Sequence, residues 1–218
     1  MCRKLIFVCV LLLGLVSNSY GTAVVIGDWE AASYDGWSGN VSGVVAVPSL
    51  TTGVTLNKGS LGVYVPQQWV PVDTYWALKR DGVVNLTGQT EIKLDVTFIA
   101  SEWQVNWNWL KVDKLAINSA AGWREFSPTA IDRVTGLPTS LDWGPWLPDA
   151  YRTYSWDISG QDWSGVTDWM TIIVALQNPN AFATGFFYLD NAQVIPEPTT
   201  IALLGLGGLS LLRIRKRR

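Results

Sequence analysis

The sequence predicts an all-β domain built as an antiparallel sandwich of two sheets. Apolar residues alternate with polar ones at a period of two, as at Ile92, Leu94, Val96 and Phe98, and this period is typical of strands. Gly, Asn, Asp and Pro separate such runs, and no run of adequate length has the period of a helix. About ten short strands in one domain favour a sandwich of the jelly-roll type.

Each predicted strand follows from its own stretch of this pattern. Lys93, Asp95 and Thr97 alternate with the apolar residues of the 92–98 run, which predicts a sheet with one face in solvent. The 110–117 run changes parity, and one extra residue near Asp113 or Lys114 would explain the change as a β-bulge. The other predicted strands are Val24 to Glu30, Val41 to Val47, Gly62 to Val65, Thr74 to Lys79, Arg152 to Ile158, Met170 to Leu176 and Gly185 to Val194.

The first 23 residues read as a secretory signal peptide. Arg3 and Lys4 form a positive start, residues 5–16 form an apolar core, and Gly21-Thr22-Ala23 offers small residues for cleavage. Cys2 and Cys9 are the only cysteines and both lie in this segment. The domain at 24–195 is therefore predicted to contain neither a disulfide nor a thiol site.

Residues 196–218 have the order of a sorting signal. Pro196, Glu197 and Pro198 form an extended motif, because proline fixes φ and removes a backbone donor. The apolar run at 199–212 is predicted to be a short transmembrane helix, although it is shorter than the roughly 20 residues of a comfortable span. A basic tail at 213–218 follows, and its cations favour the cytoplasmic side of a membrane. These cations are Arg213, Arg215, Lys216, Arg217 and Arg218.

This C-terminal arrangement resembles the signal of PEP-CTERM proteins. The resemblance implies an exported bacterial protein, an exosortase-type enzyme as processing partner, and cleavage near Pro196 to Pro198. The protein would then be held in the inner membrane transiently before it reaches the cell surface or the extracellular matrix. An ordinary tail anchor, with the protein kept as a single-pass membrane protein, is the alternative.

Composition excludes several classes of function. The domain at 24–195 has nine cations and 17 acids, a net charge of −8, so nucleic acid is not an expected partner. The chain contains no histidine, which excludes catalytic triads, His-ligated zinc and His general bases. A glycoside-cleaving pair of carboxylates, such as Asp95 and Asp113 on neighbouring strands, is the enzyme alternative that survives. The favoured interpretation of both acids is the solvent face of alternating strands, and the protein is predicted not to be an enzyme.

The first and last predicted strands carry a second resemblance. Val25-Ile26-Gly27-Asp28-Trp29-Glu30 and Phe186-Phe187-Tyr188-Leu189-Asp190-Asn191-Ala192 are similar to the opening and closing strands of galactose-binding-like carbohydrate-binding jelly rolls. In that family the terminal strands lie side by side and often hold a structural calcium ion. The resemblance implies Glu30 and Asp190 as possible Ca²⁺ ligands, with Asp28 as a secondary candidate. The alternative is that Asp190 only ends its strand with side-chain hydrogen bonds. No other cofactor is predicted.

Tryptophan is the main anomaly of composition, with 13 residues. Trp29, Trp156 and Trp169 lie within apolar strands and are predicted to be core residues. Five others lie in polar, turn-like segments, where an exposed indole would offer a flat apolar face to a sugar ring. These ligand-binding candidates are Trp103, Trp107, Trp109, Trp143 and Trp146. The alternatives are that these indoles seal the ends of the core or contact another protein.

Two functional hypotheses follow from these features. The favoured one is an exported, non-catalytic module that binds extracellular or cell-surface polysaccharide. The other is a structural surface or matrix protein that contacts proteins and binds no glycan.

Overall fold

The computed structural model describes residues 23–30, 33–40, 45–49, 51–55, 59–65, 74–104, 110–120, 122–143, 148–163, 170–178 and 184–196. All 13 elements in these residues are strands. They are β1 Val24–Gly27, β2 Trp37–Asn40, β3 Val45–Ser49, β4 Ser60–Val65, β5 Thr74–Asp81, β6 Gln89–Gln104, β7 Leu110–Ser119, β8 Gly122–Phe126, β9 Pro128–Asp132, β10 Asp142–Trp143, β11 Ala150–Asp157, β12 Met170–Asn178 and β13 Thr184–Pro196.

The strands form two antiparallel sheets. The first sheet has the order β3-β4-β13-β6-β11-β9, and β1 pairs with the C-terminal part of β13. The second sheet has the order β10-β7-β12-β5-β2, and β8 pairs with β7. The predicted all-β, two-sheet sandwich is confirmed.

The core lies between the sheets and follows the alternation of the sequence. Ile92, Leu94, Val96 and Phe98 of β6 are all buried in it, because successive side chains of a strand point to opposite faces. Lys93, on the other face, is half-buried. Trp29 and Trp156 are fully buried core residues, as predicted, whereas Trp169 lies outside the described residues.

The predicted bulge in β7 is confirmed at Asp113. Ala175 of β12 pairs with Lys114, and the next residue, Leu176, pairs with Val112. Asp113 is therefore the extra residue on β7. The parity change lets both Val112 and Leu115 point into the core.

The first strand is shorter than predicted. β1 ends at Gly27 rather than Glu30, because Trp29 turns the chain with a φ of 49° and its indole enters the core. Of the strand predicted over 41–47, residues 41–44 lie outside the described residues, and the rest belongs to β3.

The outer face of the first sheet is less exposed than predicted. Asp95 and Thr97 of β6 are both buried, although the alternation had placed them in solvent. The 51–55 segment and the Arg133 side chain contact this part of the sheet.

Candidate functional site

Asp35 organises the turn between β1 and β2, where two of the predicted calcium ligands lie. Its Oδ2 accepts hydrogen bonds from the N–H groups of Asp28, at 3.0 Å, and Trp29, at 2.6 Å. Burial alone would raise the pKa of Asp35, but hydrogen bonds with Ser33 and the two N–H groups outweigh burial and lower the pKa. The turn is thus held by an ionised carboxylate from inside the chain.

Asp28 and Glu30 lie in the same turn. The Oδ1 atom of Asp28 accepts a weak hydrogen bond from the N–H of Glu30, at 3.4 Å. A Cβ atom at Gly59 would collide with the main chain of Trp29 and Glu30, so the segment entering β4 packs directly on this turn.

Asp190, the third predicted ligand, lies on the outer face of the first sheet and is fully buried. Its Oδ1 accepts the N–H of Asn191 at 2.6 Å. Its Oδ2 accepts both the N–H and the hydroxyl of Thr55. The side-chain hydrogen bonds of the alternative interpretation are present, but Asp190 does not end its strand, because β13 continues to Pro196.

Asp95 lies directly opposite Asp190 in the register of β6 and β13. Its carboxylate accepts the Thr55 hydroxyl at 2.8 Å, the Thr153 hydroxyl at 2.5 Å and the Asn191 amide at 3.2 Å. The Arg133 guanidinium lies 3.9 Å away. Burial lowers the pKa of Arg133, whereas Asp95 and Asp190 raise it, so this cation partly compensates the two buried acids.

Calcium at this place would compete with the chain's own donors. A carboxylate oxygen accepts about two hydrogen bonds. Oδ2 of Asp190 already accepts the N–H of Thr55 and shares the single hydroxyl proton of Thr55 with Asp95. Within the described residues, no three acidic side chains gather into a group that would hold a metal ion. The donor set around Asp190 therefore fits a hydrogen-bonded network better than a cation site.

Asp95 and Asp113 do not form the pair of carboxylates considered from the sequence. They lie in different sheets, on β6 and β7, because the chain crosses the sandwich between these strands. Asp113 forms an ion pair with Lys111 at 3.0 Å. The expected neighbour relation between the two acids is therefore wrong.

Two of the five predicted ligand-binding tryptophans are buried. Trp143 has no exposed surface and stacks on Phe98 with ring centroids 4.8 Å apart and an interplanar angle of 11°. Trp103 is 6% exposed and packs on Trp143 at 5.1 Å. The expectation that these indoles are exposed is wrong, because both complete the core at one end of the sandwich. Trp107, Trp109 and Trp146 lie outside the described residues.

Trp123 is 54% exposed and was not among the tryptophans predicted from the sequence to bind a ligand. It lies on β8 directly opposite Asn118 of β7. Since Leu115 and Ile117 point into the core, Asn118 and its cross-strand neighbour face outward. The alternation at 115–118, combined with a hairpin at 119–122, was the signal that could have located this indole.

The Trp123 indole is hydrogen-bonded along one edge, while about half of the side chain stays exposed to solvent. Its Nε1 donates to Oε1 of Glu125 at 3.0 Å, and Oε2 of the same carboxylate accepts from Nζ of Lys114 at 2.9 Å. The hydrogen bond from Lys114 and then that from Trp123 lower the pKa of Glu125. We call Trp123, Glu125, Lys114 and Asn118 the Trp123 surface. It offers an apolar ring beside charged and amide groups, as a sugar-binding surface requires.

The C-terminal motif begins inside the folded domain. β13 extends to Pro196, which pairs with Gln89 of β6. Residues 194–218 match the family model described as "PEP-CTERM protein-sorting motif". The chain carries a PEP-CTERM sorting motif.

The rest of that motif lies outside the described residues, including Glu197, Pro198, the 199–212 run and the basic tail. A helix of sufficient length and apolarity to cross a membrane was not found among the residues described.

The fold is similar to that of carbohydrate-binding modules. CBM27-1 of Caldicellulosiruptor saccharolyticus, solved in complex with mannohexaose, matches with a TM-score of 0.55 and 16% identity, over 81% of this chain and 98% of that one. The family 11 carbohydrate-binding module of the cellulosomal cellulase Lic26A-Cel5E of Clostridium thermocellum matches with a TM-score of 0.46 and 17% identity, over 82% and 96%. No curated protein sequence matches. The sandwich thus has the jelly-roll fold expected from the sequence.

Proposed function

We propose that this protein is exported through its PEP-CTERM motif and that its β-sandwich binds polysaccharide without cleaving it. The observation that carries the proposal is the exposed indole of Trp123 on a sandwich with the fold of carbohydrate-binding modules. An open indole face matches the CH-rich face of a sugar ring, and the neighbouring Glu125, Lys114 and Asn118 supply hydrogen-bonding groups for hydroxyls.

Affinity gel electrophoresis of residues 24–196 tests this binding. We expect retardation by at least one neutral polysaccharide, with mannan, mixed-linkage β-glucan and amorphous cellulose as the first gels. Trp123→Ala should weaken retardation about tenfold, which corresponds to about 1.4 kcal/mol. Tyr34→Ala is the matched control, because Tyr34 is also an exposed aromatic residue but lies beside β2, at the opposite edge of the second sheet.

The retardation of the different alanine variants also identifies the binding surface. Trp107→Ala, Trp109→Ala and Trp146→Ala belong in the same series, since these indoles stay candidates from the sequence. Absence of retardation in every gel would contradict the proposal, whereas retardation lost only in the Trp107, Trp109 or Trp146 variants would move the surface away from Trp123.

The sorting motif supports export, processing by an exosortase-type enzyme and delivery to the cell surface or beyond. The intact mass of the protein recovered from its native host tests this. We expect a mass that lacks both the first 23 residues and the apolar run at 199–212. A mass that retains the run would instead identify a permanent tail anchor.

Calcium at Glu30 and Asp190, with Asp28 as the secondary ligand, stays a prediction. The ion would have to displace the Thr55 hydroxyl from Asp190. Saturating Ca²⁺, compared with a chelator, should stabilise a calcium-binding protein by about 2.7 kcal/mol at 100 times Kd. Equal melting temperatures in calcium and in chelator would refute the prediction.

A structural role through protein contacts is the second candidate. The turn after β9 presents the apolar side chains of Val134, 76% exposed, and Leu137, 64% exposed. Asp132 holds this turn by accepting the N–H groups of Val134 and Thr135, so the apolar groups are displayed on a fixed support. Sedimentation that shows self-association, lost in Leu137→Ser, together with no glycan affinity, would favour this candidate.

A further inference from the structure

The chain enters and leaves the sandwich at one corner of the first sheet. Val24, the first residue of β1, pairs with Val194 of β13. Pro196, two residues later, pairs with Gln89 at the start of β6. The predicted signal-peptide junction at Ala23 and the sorting motif are therefore neighbours in the folded domain.

This corner carries exposed apolar side chains. Val24 and Val25 are 44% and 43% exposed, and β1 pairs with β13 alone among the described strands. Ile195 and Pro196 beside them are half-buried. We call Val24, Val25, Ile195 and Pro196 the exit corner.

Very little chain separates the exit corner from the apolar run. Pro196 is still in β13, and the run begins at Thr199. Three Cα steps span at most about 10 Å. The interfacial layer of one leaflet is about 5–8 Å thick, so an inserted run places the exit corner within the layer of lipid headgroups or immediately above it.

We propose that the exit corner faces and contacts the lipid surface while the sorting motif is inserted, so that the domain is held upright on the membrane before processing. This inference rests on the proposed membrane insertion of residues 199–212. The turn after β9 then points away from the membrane, because Asp132 pairs with Arg152 whereas Asp157 pairs with Glu91 near the exit corner. Five residues of β11 separate those two levels by about 17 Å.

Single cysteines test this orientation, since the chain has no cysteine after Cys9. Val25→Cys and Leu137→Cys, each carrying a fluorophore, form a matched pair of exposed apolar positions at opposite ends of the sheet. The proteins retain residues 24–218 and are reconstituted in vesicles whose headgroups carry a short-range quencher. We expect quenching at position 25 to be at least twice that at position 137.

Two further variants test whether the quenching at position 25 depends on the short tether to the membrane. Ending the chain at Pro196 should abolish the quenching at position 25. Inserting about ten Gly and Ser residues after Pro196 adds about 17 Å of root-mean-square span and should reduce the quenching at position 25 to the level at position 137. Unchanged quenching in either variant would overturn the proposal.

Flotation of the vesicles shows whether a negative result contradicts membrane insertion or only the proposed orientation. A tailed chain that does not float overturns membrane insertion and this orientation together, while polysaccharide affinity is measured separately on residues 24–196. A chain that floats but shows equal quenching at positions 25 and 137 overturns the orientation alone.

Discussion

The tryptophans of this chain divide by what surrounds their rings. Trp143 lies between Phe98 and Trp103 in the core, and its Nε1 donates to the carbonyl of Pro148 at 3.3 Å. Trp123 lies on β8, an edge strand of the second sheet among those described, and contacts polar side chains at its edge. The same residue type thus stabilises the fold at one position and is available for binding at the other.

Alanine substitution should separate these two roles. We expect Trp143→Ala to lower the free energy of unfolding by about 3–5 kcal/mol, because it leaves a large cavity. Trp123→Ala should change it by less than about 0.5 kcal/mol, since the side chain is exposed. Denaturant unfolding of residues 24–196 measures both, and equal losses would contradict the assignment of Trp143 to the core.

Asp35 should make the stability depend on acid pH. Its pKa is lowered in the folded state, so its contribution is present above the unfolded value of about 3.9 and is lost as pH falls through the folded value. Asp35→Asn keeps the shape and tolerates the φ of 48° at this position. We expect this variant to be less stable at pH 7 by about 1–2 kcal/mol.

The difference between Asp35→Asn and the unchanged protein should shrink below about pH 4, where the carboxyl of the unchanged protein becomes protonated. Unfolding curves at pH 7 and pH 3 measure it. A difference that is the same at both values would show that the charge of Asp35 does not stabilise the turn.

At the scale of elements, the 51–55 segment is attached to the first sheet through Thr55. Its hydroxyl contacts both Asp95 and Asp190, which face each other on β6 and β13. Gly53 packs on Tyr188 with a φ of 73° and has no room for a Cβ. The segment therefore covers polar groups that an open sheet face would leave to water.

Thr55→Val should test this attachment. Valine keeps the shape and the backbone N–H but removes the hydroxyl donor, so two buried carboxylates lose a partner. We expect a loss of about 1–3 kcal/mol in the free energy of unfolding. Thr51→Val, at an exposed position of the same segment, is the control and should change stability by less than about 0.5 kcal/mol.

The sequence predicted strands well where a single rule dominates. The period of two in β6 and the parity change at Asp113 follow from local sterics, so both could be read from the chain. The burial of Asp95 and Thr97 could not, because it depends on Thr55 and Arg133, which are distant in sequence. For the same reason the polar neighbours of Trp103 and Trp143 suggested exposure, whereas packing across the sandwich decides their burial.

At the scale of the whole molecule, charge restricts the ligands that the sandwich can bind. The domain at 24–195 has a net charge of −8, which repels anionic polysaccharides. We expect retardation by neutral polysaccharides and none by polyuronates.

Retardation by a neutral polysaccharide should also change less than about twofold between low salt and 0.5 M NaCl, since stacking is not ionic. A strong loss at high salt would show that charges rather than the indole carry the binding.

The interior place of β13 in the first sheet has a consequence for the proposed secretion. This strand comes last in chain order among those described, yet it occupies an interior place, flanked by β6 on one side and by β4 and β1 on the other. In the proposed export, the facing edges of β4 and β6 have no strand between them until residues 184–196 have left the translocation channel, so the first sheet stays in two parts until then. During that export, the first sheet can therefore be completed only after residues 184–196 have crossed the membrane.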